Sequence, residues 1–196
     1  MADSLAPDAV RPLLRGRFGK VYRYAEVTPS TQRMLSEDSV EGAVAATEEQ
    51  TEGRGRLGRR WEAAPGSSIL VSVLLVPPVE PPRLPELSLV AGGAVAQAIA
   101  EITGIEPAIK FPNDLLIGMR KVAGILAESS DGRVVLGIGV NVNQTARELP
   151  ADTLTPPTSL RVVLDAPVDR ARLLASILLH LERDYDAWIT GTATSG

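Results

Sequence analysis

Arg120-Lys121-Val122-Ala123-Gly124-Ile125-Leu126-Ala127-Glu128, then Asp131-Gly132, then Val134-Val135-Leu136-Gly137-Ile138-Gly139-Val140-Asn141-Val142-Asn143, reads as two strands joined by a hairpin. Asp-Gly between apolar runs is a strong hairpin signal, because the favoured two-residue turns need positive φ at their central positions. Strands joined so tightly run antiparallel. Outward from this pair, Ser68–Val76 is an almost wholly aliphatic run ended by Pro77 and Pro78, and Ala43–Thr47 follows Gly42 as a further buried strand. Val21–Val27 alternates with a strand-like period. Ala108-Ile109-Lys110-Phe111-Pro112-Asn113-Asp114-Leu115-Leu116-Ile117 is strand, polar interruption, strand, since Pro112 bars one continuous central strand, and a tight turn falls at Gly118.

Helical spacing appears in two places. Leu87, Val90, Ala91, Ala94, Val95, Ala98 and Ile102 mark a helix over 86–103, and Leu174, Ile177, Leu178, Leu181, Tyr185 and Trp188 form one stripe from about Asp169 to Ile189. A short helix follows Thr28-Pro29-Ser30-Thr31-Gln32, with Ser30 as its N-cap. Residues 1–19 read as a loosely held segment and 190–196 as a disordered tail, leaving 20–189 as one domain. These elements imply an α+β fold: a mixed, largely antiparallel sheet flanked by helices. Gly137 and Gly139 alternate with apolar residues, so one face of their strand carries no side chain. That leaves room for a ligand on the sheet or for a closely packed helix, and the pattern fits both.

The totals exclude several chemistries. The 196 residues contain no cysteine and one histidine, which removes disulfides, thiolate metal sites and, with His180 beside the apolar stripe, a serine–histidine triad. With 44% hydrophobic residues the core is ample, and with only 4% aromatics it is aliphatic. A net charge of -4 argues against bulk affinity for nucleic acid. No apolar run reaches the roughly 18 residues of a membrane span. The N-terminus lacks a signal-peptide core, so a cytoplasmic protein is expected.

Against that acidic average stands Gly53-Arg54-Gly55-Arg56-Leu57-Gly58-Arg59-Arg60-Trp61, where seven of the first eight residues are Gly or Arg. It has no apolar face to bury and is a loop. Glycine permits close backbone approach, and arginine carries a permanent charge in a fork suited to carboxylate and phosphate. Such a loop can close over an anion or simply be a solvated basic surface. If it closes, it is mobile when empty and ordered when occupied, which hydrogen exchange with and without ligand would test. Its G-x-G-x-x-G spacing is no dinucleotide fingerprint: the polar residues 48–52 separate it from the strand before, and turn residues follow it.

The polar interruptions together supply the Arg loop, Lys110-x-x-Asn113-Asp114, Lys121 after a turn, and Asn141 after Gly139. There is no nucleophile–base pair. This is equipment for binding anions and stabilising developing charge, and nucleotidyl transfer fits it. Five stretches in order — Thr28–Gln32, Glu49–Trp61, Lys110–Asp114, Arg120–Leu126 and Gly137–Asn143 — resemble the biotin protein ligases, and Thr158-Ser159-Leu160 extends the likeness.

The resemblance implies a sheet of the class II aminoacyl-tRNA synthetase and biotin synthetase kind. It implies a two-step reaction in which biotin and MgATP give biotinyl-5′-AMP and pyrophosphate, and a lysine of a biotin carboxyl carrier protein then takes the biotin. Lys121 and Arg56 would be the catalytic residues. Ser30, Thr31, Gln50 and Arg56 would hold the biotin head group, with Gly53 and Arg54 around it, Lys121 at its carboxylate, and Gly124 and Leu126 lining its pocket. Arg56, Arg59, Trp61, Lys110, Asn113, Lys121 and Asn141 would serve ATP, with Asp114 supporting Mg²⁺. A homodimer through the sheet is a further implication.

Phe111 stands where the family usually has Trp, and Gln32 where it often has Asn. A C-terminal SH3-like domain and an N-terminal winged-helix domain are expected to be missing, and with them operator-DNA binding and part of the support for transfer to the carrier. Two rivals remain: a lipoate or octanoate ligase of the same fold, and a module that binds biotin or biotinyl-AMP without transferring it.

Overall fold

The computed structural model describes residues 3–35, 39–151 and 153–191. Seven strands form one sheet: β1 (Tyr22–Thr28), β2 (Val44–Gln50), β3 (Ser68–Leu75), β4 (Ala108–Lys110), β5 (Asp114–Ile117), β6 (Arg120–Ser130) and β7 (Arg133–Asn141). Their spatial order is β1-β2-β3-β7-β6-β5-β4. β1 and β2 are parallel and every other pair is antiparallel, so the sheet is mixed and largely antiparallel as expected.

The opening hairpin forms as read. Asp131 and Gly132 take φ of 51° and 74°, and β6 pairs with β7 from Ser130↔Arg133 to Ala123↔Val140. The turn at Gly118-Met119 likewise has two positive φ values and joins β5 to β6. Pro112 separates β4 from β5 as expected.

Helix α1 (Pro7–Val10) lies in the N-terminal segment, α2 (Leu87–Thr103) follows β3, α3 (Leu160–Leu164) follows the sheet, and α4 (Arg170–Thr190) closes the chain. Side chains of a strand alternate between faces. Val71, Val73 and Leu75 of β3, Ile125 of β6 and Leu136, Ile138 and Val140 of β7 therefore meet α2 and α4 in one core. The two helices pack on each other through Ala91, Ala94, Val95 and Ala98 on one side and Leu174, Ile177, Leu178 and Leu181 on the other. With both helices on one face, the opposite face of the sheet is left for the cavity described below.

Two local expectations are corrected. Residues 3–19 are packed, not loose: Leu5 and Val10 are fully buried, and Phe18 is 1% exposed. Their anchor is remote in sequence, because Asp3 Oδ2 accepts from Arg170 Nε at 2.8 Å and Glu48 Oε1 accepts from the Leu5 N–H at 2.7 Å. Ser30 does occupy an N-cap position, but of a 3₁₀ turn over Thr31–Met34, and its side chain makes no capping bond. Ser159 does cap a helix, accepting from the Val162 N–H at the start of α3, which the sequence reading passed over. Of the expected tail, residues 192–196 lie outside the described residues.

Candidate functional site

A cavity of about 370 Å³ opens on the face of the sheet away from α2 and α4. Its floor is built by alternation. Leu70 and Ser72 of β3 stand opposite Gly139 and Gly137 of β7, and Gly139 stands opposite Gly124 of β6. Where three strands meet there is almost no side chain, so a flat group can lie on the backbone. A group does lie there: the Trp61 indole. A Cβ added at Gly139 would come within 2.6 Å of it, and one at Gly124 within 2.9 Å. The glycine floor thus faces the cavity and not a helix. Gly139→Ala is expected to cost about 1–3 kcal/mol of stability by forcing the ring aside. An unchanged urea midpoint would show that the indole is not held against this floor.

The Gly/Arg loop forms a small hairpin over the cavity. Arg54 bridges Arg60, the Gly55 N–H donates to Arg59 O at 2.8 Å, and a 3₁₀ turn at Arg56–Gly58 makes the tip. Gly53 is needed for close approach, since a Cβ there would sit 2.3 Å from the Trp61 carbonyl oxygen. The loop's arginines reach in different directions. Arg56 Nη1 donates to Asn113 Oδ1 at 3.3 Å, and Asn113 Nδ2 donates to Ile125 O at 3.0 Å. Arg54 Nη2 donates to Gln32 Oε1 at 3.2 Å and to Glu128 Oε2 at 2.6 Å. Arg59 turns back onto the Arg56 carbonyl.

In the cavity wall, Lys121 Nζ pairs with Asp114 Oδ1 at 2.7 Å and lies 5.4 Å from the Trp61 ring centroid. Its backbone is clamped, the Lys121 N–H donating to Pro156 O and the Thr158 N–H donating to Lys121 O, each at 2.8 Å. The Trp61 Nε1 donor is buried without a partner. On the opposite wall, Gln50 Oε1 accepts from the Thr31 N–H at 2.9 Å, and the Thr31 and Ser72 hydroxyls lie 2.8 Å apart.

Most of the expected site residues come together here. Ser30, Thr31, Gln50, Arg54, Arg56, Arg59, Trp61, Asn113, Asp114, Lys121, Gly124, Leu126 and Asn141 all line the cavity. Gly53 and Lys110 do not: Gly53 is buried behind Trp61, and Lys110 Nζ donates to Thr155 Oγ1 at 3.0 Å. Asn141 is turned to the protein, donating to Thr158 O and accepting from Gln144, each at 3.0 Å. Asp114 is ion-paired with Lys121, so it orients that ammonium instead of standing free for a metal. Among the described residues no three His, Cys, Asp or Glu side chains cluster to hold an ion. His180 bonds Glu101 on the helix layer, outside the cavity lining.

The sequence reading missed Leu70, Ser72, Ile125 and the wall at Thr153–Thr155 and Pro157. The alternation of β3 could have found the first two. Nothing local marks the 153–157 wall.

The fold and the cavity define a domain with a bare-faced mixed sheet under an arginine loop and beside one half-buried ammonium, a charge arrangement suited to a small anionic ligand. The chain belongs to the Biotin/lipoate A/B protein ligase family, whose model matches residues 24–144. It is 37% identical over 176 residues to the bifunctional ligase/repressor BirA of Bacillus subtilis, covering 85% of this chain and 54% of that one. It is 39% identical over 160 residues to the biotin--[acetyl-CoA-carboxylase] ligase of Mycobacterium tuberculosis, covering 80% and 59%. The biotin protein ligase of Aquifex aeolicus, solved in complex with biotin and ATP, superposes with a TM-score of 0.79 at 34% identity over 87% of this chain and 72% of that one. The chain thus spans between half and two thirds of the length of these two curated relatives. No described helix is long and apolar enough to cross a membrane.

Proposed function

We propose that this chain is the catalytic domain of a biotin protein ligase, which converts biotin and MgATP to biotinyl-5′-AMP and passes the biotin to a lysine of a biotin carboxyl carrier domain. The observation that carries this reading is the Lys121 ammonium, held at 2.7 Å from Asp114 in the lining of a glycine-floored cavity roofed by arginines. A cavity of about 370 Å³ is within the size range of small-molecule sites.

In the first step a carboxylate oxygen of biotin attacks the α-phosphorus of ATP. The new bond is an acyl–phosphate anhydride, and pyrophosphate leaves with the electron pair of the broken P–O bond. Negative charge builds on the α-phosphate oxygens while the carboxylate is still close. Lys121, fixed by Asp114 and by its clamped backbone, supplies a preorganised cation there. Arg56 and Arg54 reduce the repulsion between the two anions as they approach. The buried Trp61 Nε1 is a free donor for an acceptor on the ligand. Mg²⁺ would be supplied with ATP and would neutralise phosphate charge there, with Asp114 the carboxylate nearest to Lys121.

In the second step the neutral amine of the carrier lysine attacks the acyl carbon. An amide forms, AMP leaves with the C–O bonding pair, and the amine proton passes to solvent. The anhydride must be kept from water in between, which closure of the 53–61 loop provides.

The test is mass spectrometry of the chain with biotin and MgATP, with lipoate and octanoate in parallel, with and without a biotin carrier domain. Biotinyl-5′-AMP and a biotinylated carrier are expected. Adenylate from lipoate or octanoate alone would move the chain to the other branch of the family, and adenylate from no acid would overturn the enzymatic reading.

A further inference from the structure

We propose that Glu128 is a positioning residue that holds the arginine loop shut, acting through Arg54. This rests on the reading above for what the loop retains, though not for the latch itself. Gly124, Leu126 and Glu128 alternate along β6 and so share the cavity face of the sheet. The first two line the cavity, and the third stands beyond its edge. Arg54 crosses from the loop to reach it: Nη2 lies 2.6 Å from Glu128 Oε2 and 3.2 Å from Gln32 Oε1.

Besides the Trp61 indole resting on Gly124 and Gly139, two arginine side chains tie the loop to the far strands. Arg56 bonds Asn113 on the β4–β5 side, and Arg54 bonds Glu128 on β6. The first is a neutral acceptor at 3.3 Å, the second an ion pair at 2.6 Å. Arg60 bonds Thr51 O at the loop's base and Arg59 bonds Arg56 O at its tip, so neither reaches the far strands. Opening the loop must therefore break the Arg54–Glu128 pair. Its partners keep 45% and 41% side-chain exposure, so the pair is a weak, salt-sensitive tie and not a structural weld. That suits a gate which must open for the carrier lysine after each adenylation.

The chemistry allows the opposite role as well. Glu128 could compete with the ligand for Arg54, and its loss would then tighten binding. The signs differ, so one variant decides. In Glu128→Gln, release of biotinyl-5′-AMP from the preloaded protein is expected to rise by about two- to fivefold, the worth of an exposed ion pair. Single-turnover adenylation should stay unchanged. Wild-type release should quicken with added salt, and release from the variant should respond less. Glu128→Asp, which keeps the charge on a shorter arm, should restore part of the retention. Hydrogen exchange of residues 53–61 in the unliganded proteins reads the latch without any reaction: exchange should be faster in Glu128→Gln at low salt and equal to wild type at high salt. Slower release, or identical loop exchange at low salt, would overturn the latch. Absence of adenylate in the wild type would overturn the ligase reading, and the exchange arm would still decide the latch.

Discussion

Replacing Lys121 by alanine is expected to lower the rate of adenylate formation by about 10²–10³-fold while leaving the fold intact. The estimate follows from removing one preorganised charge from the place where charge develops, a change that costs enzymes on that scale. The Lys121 side chain keeps 23% exposure and Asp114 15%, so the pair sits partly out of water, where a fixed cation acts strongly. The substitution does a second harm. It leaves the Asp114 carboxylate unpaired beside the incoming biotin carboxylate, so ground-state binding should weaken as well. Asp114→Asn separates the two effects, because the ammonium remains and only its orientation is lost; roughly tenfold is expected there. The measurement is single-turnover formation of biotinyl-5′-AMP, with thermal unfolding as the control on the fold. A Lys121→Ala protein that adenylates at the wild-type rate would remove Lys121 from the mechanism.

Arg170→Ala is expected to destabilise the domain by about 4 kcal/mol, because breaking a buried ion pair from one side leaves uncompensated charge behind. Arg170 is fully buried at the start of α4. Its guanidinium bonds Asp3 Oδ2 at 2.8 Å, Glu48 Oε2 at 2.7 Å, Ser68 O at 2.9 Å and Asp3 O at 2.9 Å. One side chain thus ties the N-terminal segment, β2, β3 and α4 together. For a chain of this length the melting temperature should fall by about 10 °C.

The pH dependence follows from Glu48. Burial alone would raise its pKa, but the Leu5 N–H, Arg170 and the Ser4 hydroxyl together hold it below the usual glutamate range. A carboxyl with a depressed folded pKa contributes stability above its unfolded value, near 4.3, and loses it as pH falls through the folded value. Wild type should therefore lose this part of its stability only below about pH 4. In Arg170→Ala the pH-dependent loss should be smaller, because without the guanidinium Glu48 keeps less of its depression below the unfolded value. Urea midpoints from pH 3 to 7 measure both effects. A midpoint within error of wild type at pH 7 would mean that the network contributes nothing net.

Much of the fold was legible because the local signals agreed with one another. Asp131-Gly132, the turn at Gly118, Pro112 and the aliphatic run at 68–76 each act within a few residues, and all of them hold in the structure. The N-terminal segment was misread because its stability is not local. Leu5, Val10 and Phe18 find their partners far along the chain, and Asp3 pairs with Arg170.

The site divides in the same way. Residue type and order along the chain were enough to indicate an arginine loop, a lysine after a turn and a strand with one bare face, because charge, the fork of the guanidinium and the missing Cβ of glycine belong to the residues themselves. Which of these face each other depends on strand register, which the chain's order alone does not state. Register put Gly124 opposite Gly139 and laid Trp61 on both. It turned Asp114 toward Lys121 and Asn141 toward Thr158. It also brought Glu128 to Arg54 across 74 positions of sequence. The sequence by itself determined the chemistry available to this protein. The tertiary structure decided which charges meet, because an ion pair or a stacking contact depends on distances of a few ångströms that only the folded sheet sets.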